Sequence, residues 1–175
     1  MTAIQSNGIT LEYESLGEPG APVVLLVMGL GMQLVAWPDP FCEGLVRQGF
    51  TVGLLDALDI PAAHVVGASM GGMNCQLVAA LHPERTRSLT SIMSTTGARR
   101  LPQPSVRIRR ELLRRPREPI TTESLVEHYE HLFGVIGSPG YPTPPDEFRA
   151  RIRRAVERGG YHPAGFLRQL GAILA

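Results

Sequence analysis

Lysine is absent from this 175-residue chain: all 17 of its Lys and Arg positions are arginine, a bias of codon usage or lineage rather than of function. Cysteine is nearly absent. The two present, Cys42 and Cys75, fall in separate predicted elements. They make neither a disulfide framework nor a metal-ligand spacing, so a reduced, cytoplasmic protein without a metal or other cofactor is expected. Excess charge is missing too. The net +1 at pH 7 removes the global electrostatic case for nucleic acid or a membrane surface as partner. No basic segment occurs in the polar stretch Met1 to Gly8, so a signal peptide is not expected. The apolar run from Ala21 to Trp37 is broken by Gly29, Gly31 and Gln33 and is followed by Pro38, which suits a buried strand and loop and not a membrane span. What remains, 43% hydrophobic and 19% charged residues, is the composition of one globular domain able to bury a core.

The chain is organised around His64-Val65-Val66-Gly67-Ala68-Ser69-Met70-Gly71-Gly72-Met73. A short apolar run of strand character enters a Gly-x-Ser-x-Gly turn, and the helix-compatible segment Asn74 to Leu81 leaves it. Strand, tight turn and helix in that order are what a nucleophile elbow requires. Ser69 would then occupy a strained backbone conformation with its hydroxyl exposed above the sheet. Gly67 and Gly71 flank it because a Cβ at either place would crowd the neighbouring strand and helix. The helix N-terminus behind Ser69 would put a positive dipole end where an oxyanion develops. A glycine-rich turn with an incidental serine is the plainer alternative; the fitting context on both sides favours the elbow.

Before this stretch, Ile9 to Ser15 alternates apolar and polar residues, as a half-exposed antiparallel strand does. Pro22 to Met28 is continuously apolar and suits a parallel strand covered on both faces. It opens into the glycine-rich loop Gly29-Leu30-Gly31-Met32-Gln33. Pro40 to Gln48 reads as a helix with Phe41, Leu45 and Val46 on its apolar face. After the elbow, Leu89 to Met93 is a further strand, ending in Ser94-Thr95-Thr96-Gly97. The alternation predicts a mostly parallel α/β sheet, whose chemistry collects at the C-terminal strand ends. Ser69 and the Gly29–Gly31 loop both fall there.

From Arg99 the pattern changes. Arg99, Arg100, Arg107, Arg109, Arg110, Arg114, Arg115 and Arg117 crowd a stretch interrupted by proline. It lacks the aromatic interleaving of a nucleic-acid arm, and a solvated connection is the favoured reading. Helices are predicted over Thr121 to Phe133, with Thr122 as N-cap, over Glu147 to Arg158, and over Pro163 to Leu174. No strand pattern follows Met93. Residues 1–98 are therefore expected to be a sheet-based core and residues 99–175 a helical block.

Val27-Met28-Gly29-Leu30-Gly31-Met32-Gln33, Trp37-Pro38, the Ser69 turn and His82-Pro83-Glu84-Arg85 together resemble the α/β-hydrolase family, in particular its small esterases. The resemblance covers most of the chain. It implies Ser69 as nucleophile and an oxyanion hole made by the backbone N–H groups of Met70 and Leu30. It also implies that the helices after Arg99 are the cap that selects substrate. Many relatives have a histidine before the glycine of the oxyanion loop, where this chain has Met28. Because the loop works through backbone donors, that departure leaves its role intact.

The resemblance also implies missing parts. Family members carry the triad acid and histidine after the cap, following two further strands; this sequence ends at Ala175 within a helical pattern. Between Phe50 and Ala62 the family has a strand, loop and helix, for which Thr51 to Ile60 is too short. That segment fits either a strand over Thr51 to Leu55, with Asp56 at its end, or a helix remnant through Val52, Leu55 and Leu58. The helix is preferred, because the return from Asp56 to Ala63 is shorter than the ~10–12 residues of a parallel crossover. Within the chain, His64 and His82 are expected remote from Ser69, and His162 near the start of its helix. His128 and His131, beside Glu127 and Glu130, read as solvated surface in preference to a metal site or a substitute base. Asp56 or Asp59 as acid would lack a histidine to orient.

The expected function is that of a serine hydrolase acting on a small-molecule carboxylic ester, impaired where the acid and histidine are wanting. The alternative is a non-catalytic fragment that pairs with itself or with a complementing chain through exposed sheet edges.

Overall fold

A computed structural model describes residues 2–6, 8–32, 34–53, 60–98 and 100–174. The chain forms two compact units, Met1–Ala98 together with Ala164–Ala175, and Arg99–Pro163.

In the first unit, β1 (Thr2–Ser6) and β2 (Ile9–Tyr13) pair antiparallel, with Thr2 opposite Tyr13 and Ser6 opposite Ile9. The strand predicted from the alternation at Ile9 therefore has a partner that the polar N-terminus did not signal. The main sheet comprises β3 (Val23–Val27), β4 (Thr51–Val52), β5 (Ala63–Ala68) and β6 (Thr86–Ile92) in the order β4-β3-β5-β6. All its pairings are parallel. The β3 and β5 strands run in register from Val23 opposite Ala63 to Val27 opposite Gly67, so their C-terminal ends lie side by side. Between them and the helix that follows β5, α2 (Met70–Leu81), lies a core of Leu25, Ala63, Val65 and Cys75. That helix buries Gly71, Gly72 and Cys75, the small face that lets it settle close to the sheet.

Helix α1 (Asp39–Arg47) begins at a proline-rich start and buries Cys42, whereas Phe41, expected on its apolar face, is exposed. The helix preferred for Thr51 to Ile60 does not begin there. Thr51 and Val52 form a strand because both edges of their backbone find partners. Thr51 N–H donates to Pro22 O at 2.9 Å and Gly53 N–H to Val24 O at 3.1 Å, while on the other side Val52 N–H donates to Leu16 O at 2.8 Å. Leu55, Asp56, Leu58 and Asp59, like Gln33 and Arg99, lie outside the described residues. The segment that re-enters the sheet is anchored by Arg85, whose guanidinium donates to Ile60 O at 2.8 Å.

The second unit contains α3 (Val106–Leu112), α4 (Thr122–Ile136) and α5 (Pro145–Gly159). The arginine-rich stretch, read as a connection, thus contains a helix, which Ser105 caps by accepting from Ile108 N–H. The N-cap of α4 is Thr121 and not Thr122. Thr121 Oγ1 accepts from Ser124 N–H at 3.1 Å and Ser124 Oγ from Thr121 N–H at 2.9 Å, a reciprocal capping box. Leu125 and Val126 pack with Ile152 and Val156 as this unit's core. Outside it, Arg149 bridges Glu123 and Glu130. Residues 164–175, which the sequence pattern groups with these helices, belong to the first unit as most of α6 (Pro163–Leu174).

Candidate active site

Ser69 joins β5 to α2 with φ 55° and ψ −120°. A positive φ at a residue with a Cβ is strained, at a cost of about 1–3 kcal/mol, and persists only where the surroundings over-determine it. Here they do. Ser69 N–H donates to Ile92 O at 2.9 Å, continuing the β5–β6 ladder into the turn. Its carbonyl accepts from Gly72 N–H at 2.9 Å and Met73 N–H at 3.2 Å, starting α2, and from Ser94 Oγ at 2.6 Å. The flanking glycines are required by close approach: a Cβ on Gly67 would lie 2.2 Å from Gly71 O, and one on Gly71 2.2 Å from Val27 O. Both contacts are with backbone, which cannot swing aside. The side chain of Ser69 remains exposed at the C-terminal end of the sheet.

Met70 is the first residue of α2, so its N–H has no acceptor within the helix. The loop after β3 reaches the same place. A Cβ added at Gly29 would lie 3.0 Å from Ser69 Cβ and 3.5 Å from Ser69 Oγ. Gly29 to Met32 closes as a turn, Met32 N–H donating to Gly29 O at 3.1 Å, with Leu30 inside it. The three residues expected from the sequence, Ser69, Met70 and Leu30, therefore stand on two adjacent strand ends. Ser94 is a participant that the sequence reading named only as the end of a strand. Its contact with the Ser69 carbonyl links residues 25 positions apart, and no local pattern reports it.

A competing nucleophile beside the serine is excluded by burial. Cys75 lies on the buried face of α2, only 1% exposed, and desolvation pushes its thiol up to about 11 from 9.0. Cys42 is raised as well, first by burial and then by Asp39.

A family described as the alpha/beta hydrolase fold matches residues 53–119. Rhodomycin D methylesterase of Streptomyces peucetius is 29% identical over 210 residues, covering 90% of this chain and 69% of the relative. Among solved structures, a carboxylesterase of the thaumarchaeon Nitrososphaera gargenis superposes with a TM-score of 0.70 at 16% identity, over 98% of this chain and 71% of its own. The enol-lactonase of Burkholderia xenovorans LB400 gives 0.64 at 20% identity, over 98% and 73%. This chain has the α/β-hydrolase fold. The 210-residue alignment is longer than the 175-residue chain, so the methylesterase carries residues to which this chain has no counterpart.

Where this chain holds its five histidines bears on the chemistry. His64 starts β5, at the opposite end of the strand from Ser69, with Nδ1 2.8 Å from Ser88 Oγ. His82 follows α2, whose 12 residues separate it from Ser69 by about 18 Å. His128, His131 and His162 belong to the second unit. There His131 Nε2 lies 2.9 Å from Glu111 Oε2 and 3.0 Å from Arg114 Nη1. Its hydrogen bond holds the Glu111 carboxyl below the usual range. Burial lowers His128, with help from Arg114 and His131. Among the described residues, no cluster of histidine, cysteine and carboxylates is arranged to hold a metal ion, and no helix is long and apolar enough to cross a membrane.

Proposed function

We propose that this chain is a serine hydrolase whose Ser69 hydroxyl attacks the carbonyl of a small carboxylic ester. The observation that carries the reading is the strained backbone at Ser69, φ 55°, with Gly29 packed against its side chain. A strained, exposed serine at a strand end, opposite a glycine loop and ahead of a helix N-terminus, is the arrangement by which this fold presents a nucleophile. The tetrahedral oxyanion is received by the N–H groups of Met70 and Leu30. The helices of the second unit are the part of the chain that the family resemblance implies as a cap. The methylesterase name of the relative supports an ester, and a methyl ester is the first substrate to try.

Acyl transfer from an ester needs a base to take the serine proton and return it to the leaving alcohol. Neither histidine of the first unit stands within reach of Ser69. Without such a base turnover is slow, at most roughly 10³–10⁴-fold above water, the share that an oxyanion hole and binding supply without a triad. Hydrolysis of short-chain p-nitrophenyl and methyl esters tests this: slow turnover that Ser69→Ala reduces to the buffer rate supports it, and turnover unchanged in Ser69→Ala refutes it.

A second reading is favoured by β6. It is the outer strand of the sheet, and Leu89, Ile92 and the following Met93 are 40%, 37% and 76% exposed. An open apolar edge of this kind accepts another strand. In this reading the chain works only when paired with a complementing polypeptide or with itself. Light scattering of the purified chain decides part of it: a dimer supports self-pairing, and a monomer leaves the complementing chain as the form to test by co-expression.

A further inference from the structure

Two residues of α6, Phe166 and Gln169, meet the same glycine of the loop after β3. Gly31 N–H donates to Gln169 Oε1 at 2.9 Å across 138 residues of sequence. The ring of Phe166 lies where a Cβ on Gly31 would be, 2.8 Å from Cδ2, and Gly31 has φ 69°, so only glycine fits on both counts. Phe166 and Gln169 are three apart on the helix and therefore share a face. All of these residues belong to the first unit.

The contact fixes more than Gly31. A trans peptide unit is planar, with its C=O and N–H directed oppositely. The unit joining Gly29 to Leu30 has its carbonyl held by Met32 N–H at 3.1 Å. Its Leu30 N–H is thereby turned away from the interior of the turn. The unit joining Leu30 to Gly31 has its N–H held by Gln169. Both planes flanking Leu30 are thus fixed, one by the turn itself and the other by α6. The Gly31 N–H, being satisfied by Gln169, is withdrawn from competition for an anion.

We infer that Gln169 is a positioning residue, which with Phe166 holds the Gly29–Met32 turn so that Leu30 N–H is preset as a donor. The inference rests on the proposed role of Leu30 at the oxyanion, and its test separates the two. Amide hydrogen exchange at Gly31, followed by NMR on the full chain, reads the hold directly and needs no activity. Gln169→Leu, which lacks an acceptor, is expected to speed Gly31 exchange by about tenfold while exchange in β5 is unchanged; Gln169→Glu, whose carboxylate still accepts, restores protection. Equal Gly31 exchange in wild type and Gln169→Leu would overturn the inference. So would loss of protection throughout β5 in both variants, since Gln169 would then support the fold at large. In parallel, the rate at which a fluorophosphonate modifies Ser69 should fall about tenfold in Gln169→Leu and recover in Gln169→Glu. An unchanged rate beside the altered exchange would refute the link from the hold to the oxyanion donor. A wild type that is not modified, with Gly31 exchange behaving as expected, would instead remove Ser69 as nucleophile and leave the hold standing.

Discussion

The two turns that meet at the end of the sheet are built by different means. The β5–α2 turn at Ser69 is held by backbone: Ile92 O, the first turn of α2, and two glycines at van der Waals limits against neighbouring main chain. The β3 turn at Gly29–Met32 is held in part by side chains from residues 166 and 169. The first is held by main chain of the neighbouring strands and α2, whereas the second is held both by its own Met32–Gly29 hydrogen bond and by α6. A site that joins them has one rigid half and one that depends on a distant helix.

The largest effect is expected from breaking the rigid half. In Gly71→Val the new Cβ would meet Val27 O at 2.2 Å, and neither partner can move without parting β3 from α2. A cost of several kcal/mol is comparable with the whole stability of a domain, about 5–15 kcal/mol, so cooperative thermal unfolding should be lost by calorimetry. A variant that melts like wild type would show that the close approach is absent in solution. In the dependent half, Gly31→Ala places an alanine at φ 69° against the Phe166 ring. The expected loss is about 2 kcal/mol by denaturant titration, mostly backbone strain, with the fold retained. A loss as large as that of Gly71→Val would remove the distinction between the two turns.

A smaller effect tests how dry the rigid half is. The Cys75 thiol, held at about 11 against an ordinary 9.0, stays protonated in the folded chain where the unfolded chain ionises. The unfolded state then binds fewer protons, so this contribution to stability is full below pH 9 and is lost as pH rises toward 11. Cys75→Ala should flatten the decline in stability over that window. An unchanged slope would mean that the thiol is not desolvated.

The same contrast explains what could be read from the sequence. The elbow was legible because its requirements are local: an apolar strand, glycines at 67 and 71, and a helix-compatible run, all within the 18 residues from His64 to Leu81. The parallel sheet followed from continuous apolar runs, and α4 to α6 from their periodicity. The β4 strand was misjudged because its two residues owe their conformation to Leu16, Pro22 and Val24, not to their own pattern. Thr121 was missed as a cap because Thr121 and Thr122 are chemically alike, and only the Ser124 reciprocity separates them. The assignment of α6 to the first unit was invisible, since a glutamine on an amphipathic helix does not advertise which distant amide it accepts from.

The central claim is that Ser69 is a presented nucleophile, and covalent modification by a fluorophosphonate, located by peptide mass spectrometry, tests it most directly. The account predicts a single slow adduct on Ser69, absent in Ser69→Ala. No adduct on the wild-type chain, or one that persists in Ser69→Ala, would contradict it.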